Sequence, residues 1–158
     1  MAPWLVTFHV VPHRAMASAP GALTPAVLAS TDWWESSTTP TNFGARLATI
    51  AAPAPEPAAG FESWGTPDGN GVDFHRRCGR VSRIVARVDV RKLDPKFSAA
   101  LLAFVRSSQA VLVRSDGRVA EPTVGAFSGA LRGDPAWQHA NEPAPMRIVN
   151  GVLEDDDE

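Results

Sequence analysis

From Trp4 to Val11 the chain alternates: Trp4, Val6, Phe8 and Val10 fall on one side, and Leu5, Thr7, His9 and Val11 on the other. A period of two built from aromatic and β-branched residues predicts a strand buried for the most part on both faces, and Pro12 ends it. Residues 13 to 60 lack that rhythm. They support a short helix over about residues 21 to 29, its start restricted by Pro25, and a loop or polyproline-II run over residues 51 to 60, where three prolines fix φ and remove donors.

Regularity returns after Pro67-Asp68-Gly69-Asn70-Gly71, a dense turn signal. Residues 72 to 77 alternate, and residues 81 to 91 alternate more clearly. In the second run Ile84, Ala86, Val88 and Val90 make an apolar face while Arg83, Arg87, Asp89 and Arg91 point away from it. Cys78-Gly79-Arg80 is the hairpin connection between the two runs.

Asp94 followed by Pro95 predicts a helix start, because the carboxylate caps free amides and proline suits the first turn. Phe97, Leu101, Phe104 and Val105 then share one stripe of a helix running to about residue 108. Residues 110 to 114 read as a strand, Ser115-Asp116-Gly117 as a tight turn and residues 118 to 120 as the return. Thr123 caps a second helix with Val124, Phe127 and Leu131 on its inner face, ending near Gly133. The predicted fold class is α+β: a two-layer sandwich of a mainly antiparallel sheet with two helices on one face, preceded by a long irregular N-terminal segment. A single domain is expected over residues 1 to 153, with residues 154 to 158, five consecutive acids, as a disordered, solvated tail.

Composition changes this picture in three ways. One cysteine, Cys78, in 158 residues excludes an intrachain disulfide framework and a thiolate-rich zinc module. The formal charge of −2 excludes a wholly basic nucleic-acid binder and a wholly acidic polynucleotide mimic, although the chain without its acidic tail carries a net positive charge. The short apolar run near the start is too brief to span a bilayer and follows no basic n-region, so a cytoplasmic location without membrane contact is expected.

Each candidate chemistry meets a plainer reading. His75 and Cys78 lack the further ligands that tetrahedral zinc needs. Asp68-Gly-Asn-Gly-Val-Asp73 resembles a calcium loop but lacks its glycine at the sixth place and its distal bidentate Glu, and turn chemistry accounts for it. No Gly-x-Ser-x-Gly elbow, Walker loop or dinucleotide fingerprint occurs, and Cys78, flanked by arginines, is the one candidate reactive thiol. Neither a metal nor a cofactor is therefore expected. Eight basic residues lie between Arg76 and Lys96, and the alternation aims Arg83, Arg87 and Arg91 at one sheet face. That face reads as a solvated surface neutralised by Asp89, as a protein interface, or as a nucleic-acid surface lacking interleaved aromatics. Asp32-Trp33-Trp34-Glu35 places two adjacent indoles in irregular sequence; if the backbone is extended, one of them stays partly exposed.

Residues 81 to 134 carry Arg-Val-Asp-Val-Arg (87–91), a Phe/Leu-rich helix, a short apolar strand with Asp-Gly, Glu-Pro-Thr (121–123) and a helix ending in an Ala-Leu pair. This order resembles small bacterial immunity proteins, the partners of secreted interbacterial toxins, over about a third of the chain. The resemblance implies a non-catalytic protein that binds a cognate bacterial toxin or effector domain and occludes its active site; it carries over no interface residues. The expected contacts come from residue type alone: Trp33, Trp34, Glu35, Trp64, Asp68, Arg83, Arg87 and Arg91. The alternatives are a small hydrolase-like enzyme and a nucleic-acid-binding protein using residues 76 to 96. The sequence leaves the oligomeric state open.

Overall fold

The computed structural model describes residues 2–19, 21–35, 43–48, 51–53, 60–141, 146–149 and 152–155. In chain order the elements are β1 (Leu5–Pro12), α1 (His13–Ala17), α2 (Pro25–Ser30), α3 (Phe43–Ala48), β2 (Phe61–Gly65), β3 (Gly71–Arg77), β4 (Arg80–Asp89), α4 (Pro95–Ser107), β5 (Ala110–Arg114), β6 (Val119–Ala120), α5 (Val124–Arg132), α6 (Pro135–Asn141), β7 (Met146–Val149) and β8 (Val152–Asp155). Six strands form one antiparallel sheet in the order β2-β3-β4-β1-β5-β6, which makes the protein α+β.

The central strand β1 is buried on both sides, as its alternation of apolar residues on each face predicts. On one face of the sheet Val6 and Phe8 of β1, Phe74 of β3, and Ile84, Ala86 and Val88 of β4 are closed to solvent. Helices α4 and α5 meet that face: Phe104 of α4 lies edge-on to Phe74 at 6.4 Å between ring centroids, and Phe127 of α5 lies 5.7 Å from Phe8. Asp94 caps α4 by accepting from the Lys96 and Phe97 amides, and the Phe97, Leu101, Phe104, Val105 stripe is buried. Thr123 caps α5, whose inner face is Phe127, Ala130 and Leu131. Val124, expected on that face, is 72% exposed; it is the first helical residue, and the turns after it meet the sheet.

Three further departures from the sequence expectation have local causes. Besides the short helix expected near residues 21 to 29, which is α2, the segment from 13 to 60 holds α1 and α3, of five and six residues, too short for a 3.6-residue period to show. Trp64, outside every element the sequence predicts, lies in β2 and packs edge-on against Phe74 at 4.9 Å. At the C-terminus β7 and β8 pair with each other, so Glu154 and Asp155, placed by charge alone in a solvated tail, have strand backbone opposite Arg147 and Met146; residues 156–158 lie outside those described. The overlooked signal was Asn-Gly at 150–151 between two apolar runs, a strong hairpin sequence.

The β3–β4 hairpin positions the site described next. Its two connecting residues, Cys78 and Gly79, both have positive φ, 53° and 76°, the backbone that a two-residue hairpin turn requires. One register shift between His75 and Arg76 interrupts the ladder, and the Ser82 hydroxyl donates to the His75 carbonyl there at 2.9 Å.

Candidate functional site

The second face of the sheet carries the polar side chains that the alternation of β4 aimed away from the core. His75 of β3 lies opposite Arg83 of β4, Asp73 opposite Val85, and Val85 opposite His9 of β1. The face is not open solvent. An Arg83 Nη1 donates to the Ala29 carbonyl at the carboxyl end of α2, where helix carbonyls lack partners and a cation is favoured. The stretch after α2 follows: the Trp34 amide donates to the Ser82 carbonyl at 3.0 Å.

Between this segment and the hairpin lies a cleft of about 640 Å³, its polar walls formed by Asp32, His75, Arg76, Arg77 and Arg83 and an apolar side by Phe61. A neighbouring hollow of about 390 Å³ shares Asp32, Arg77 and Ser82 and adds Glu35, Cys78 and Arg80. Asp32 binds Arg77 Nη1 at 3.0 Å and stands 3.9 Å from Arg83 Nε. Arg76 is held separately by Glu62 at 2.9 Å. The two serines lining the cleft are both committed as donors to backbone carbonyls, Ser30 to Ala26 and Ser82 to His75.

Two histidines border this region. Burial, then the Arg83 guanidinium, then His75 hold the His9 imidazole below its ordinary value. Burial and Arg83 lower His75 likewise, with Asp73 pulling the other way, and Phe61 lies edge-on to its ring at 4.9 Å. Both imidazoles bind fewer protons in the folded chain than in the unfolded one. Stability is therefore fully present above the ordinary value of 6.5 and declines as pH falls below it. Asp89 and Asp116, lowered by hydrogen bonds from Arg91 and Arg114, act in a separate window, losing their contribution only as pH falls below the ordinary 3.8. The expected result is a lower Tm at about pH 5.5 than at about pH 7.5, with the difference reduced in His9→Gln. An undiminished difference in that variant would assign the pH dependence elsewhere.

The other sequence-predicted contacts separate into distinct places. Arg87 pairs with Asp73 at 2.6 Å, both side chains largely buried. Arg91 binds Asp89 at 2.7 Å and lies over the Trp4 ring at 4.0 Å, while the Asp68 carbonyl accepts from the Trp4 indole. Arg83 and Arg87 of β4, and Arg91 just beyond its end, are thus tied to carboxylates and carbonyls within the chain. Trp33 and Trp34 correct the sequence reading: they are 5% and 1% exposed, and neither offers a free indole. A turn in place of extended backbone lets both side chains enter the interior, where Trp33 donates to the Leu28 carbonyl and Trp34 to the Val10 carbonyl. Trp64 is half-buried against the core; Glu35 and Asp68 are exposed.

Asp32 and His9 are not among the contacts that the sequence predicts. Asp32 is 45 residues from Arg77, and no local pattern announces a pair across that distance. His9 could have been found from its place on a strand buried on both faces. Among the described residues no group of three or more His, Cys, Asp or Glu side chains is placed to hold a metal, and no helix is long and apolar enough to cross a membrane. Comparison with protein-family models, with curated proteins and with solved structures finds no match to this chain.

Proposed function

We propose that this chain is a non-enzymatic protein-binding module that presents the β3–β4 hairpin tip and the hollows beside it to a partner. The observation that carries the reading is the contrast between the arginines. Arg83 is tied to the Ala29 carbonyl and Arg87 to the largely buried Asp73. Arg77 has a 75% exposed side chain and Arg80 is exposed without a partner among the described residues, and these two flank a tight turn. Arginines on a pre-ordered hairpin bind carboxylates bidentately with less conformational entropy to lose than arginines on a loop. The exposed Glu35 in the adjoining hollow supplies a rim charge of opposite sign.

The resemblance of residues 81 to 134 to immunity proteins names the partner class: a cognate bacterial toxin or effector domain, neutralised by occlusion. The test is co-purification of the tagged full chain with the product of its neighbouring gene. A stoichiometric complex that is lost in Arg77→Glu/Arg80→Glu and kept in Val124→Asp, a change on α5 at an exposed side chain, supports the proposal. A complex indifferent to the hairpin charges, or none at all, overturns it.

A further inference from the structure

The larger cleft has a charge balance that the fold leaves incomplete. Arg76 is matched by Glu62 at 2.9 Å. Arg77 and Arg83 share Asp32, the one carboxylate lining the cleft among the described residues. Two guanidiniums against one carboxylate leave a net positive charge at the cleft wall. Each guanidinium also keeps hydrogen-bonding capacity in reserve. Arg83 commits one Nη to the Ala29 carbonyl and Arg77 one to Asp32, and among the described residues their second Nη atoms have no hydrogen-bond partner. Planar guanidinium forks match the paired oxygens of a phosphate or carboxylate.

The remaining walls limit what such an anion is attached to. Phe61 stands edge-on to His75, so an aromatic surface adjoins the cationic one. The cleft is a broad, solvent-open depression with room beside the guanidiniums for more than a bare ion. We propose that this cleft is a binding site for a small organic oxyanion, its phosphate or carboxylate head held between Arg77 and Arg83 and its body against Phe61 and His75. The assignment shares Arg77 with the proposed protein-binding surface, but it is argued from the cleft's own charges and its test needs no protein partner.

Asp32 sets the sign of the test. It competes with an incoming anion for both guanidiniums, so its removal strengthens binding while removal of Arg77 weakens it. His75 reports occupancy. It is surrounded by Asp73 on its own strand, Arg83 on β4, His9 on β1 and Phe61 on β2, and a bound anion adds a negative charge that favours its protonated form.

The experiment is an NMR titration of the histidine ring protons of the full chain with phenyl phosphate, benzoate and inorganic phosphate at constant ionic strength. Phenyl phosphate or benzoate is expected to shift the His75 titration upward and saturably, with His13 and His139, both exposed, unmoved. Whichever binds more tightly identifies the head group, and inorganic phosphate, lacking the aromatic body, binds more weakly than phenyl phosphate. Arg77→Gln, at a side chain the fold does not bury, weakens binding about fivefold, and Asp32→Asn strengthens it by a similar factor. The proposal is overturned by the absence of a saturable shift, by equal shifts at His13 and His139, or by affinities that neither substitution changes.

Discussion

Replacing Asp73 by alanine is expected to destabilise the fold by about 3–5 kcal/mol, the range for breaking a buried ion pair from one side. The carboxylate binds Arg87 Nη1 at 2.6 Å and accepts from the Ser63 hydroxyl at 2.6 Å. The paired side chains are 15% and 11% exposed, so little water is at hand to replace a lost partner. The guanidinium cannot simply leave. It reaches across to the Thr66 carbonyl at 3.2 Å and lies over Gly71, its cross-strand neighbour, where a Cβ would collide with it. Asp73→Ala would thus strand a charge beside β3 and leave the Ser63 hydroxyl without its acceptor. Pairing the change with Arg87→Met should recover much of the loss, because removing both charges also removes the desolvation they oppose. Urea unfolding of the two variants measures this. A loss below about 1 kcal/mol for Asp73→Ala, the value for exposed pairs, would show that water reaches the site and that the pair is peripheral.

That ion pair also marks where sequence reading stops. The alternation of β4 correctly separated Ile84, Ala86 and Val88 from Arg83 and Arg87, because strand geometry leaves a side chain only two directions. The cap at Asp94, the stripe on α4 and the hairpin were legible for the same reason, each being settled within a few residues, although the connection read as Cys78-Gly79-Arg80 is only Cys78-Gly79, with Arg80 already paired to Arg77 in β4. What covers the second face is settled by contacts from far along the chain. Asp89, expected to neutralise its neighbours across the strands, binds Arg91 two residues on, while the ion-pair partner of Arg87 is Asp73 on β3. Ala29 and Asp32 approach Arg83 from a segment whose helix has only six residues, too few for periodicity to show which way it faces. The direction of each arginine could be read; its partner could not. The cleft was out of reach on the same grounds, since its wall joins residues near 30, near 60 and near 80.

Trp34→Ala should cost about 3–5 kcal/mol, the loss measured when large aromatic side chains are removed from packed interiors. Trp34 is among the largest fully buried side chains, and its indole donates to the Val10 carbonyl at 2.7 Å. Its own amide donates to the Ser82 carbonyl, so this one residue joins the end of β1 to the start of β4 beyond the last pair of their ladder, His9 with Val85. Trp34→Phe separates the two contributions. It keeps most of the apolar contact and orphans a buried carbonyl, for an expected loss of about 1–3 kcal/mol. The pair of variants also discriminates between an interior role and a contact role for the Trp33-Trp34 dipeptide. If the indoles are structural, Trp34→Ala loses partner binding only to the extent that the chain unfolds, and Trp34→Phe binds normally at temperatures where it is folded. A Trp34→Ala variant with an unchanged Tm and no affinity for its partner would return Trp34 to the interface, and with it the extended backbone that the turn at residues 33–35 replaces.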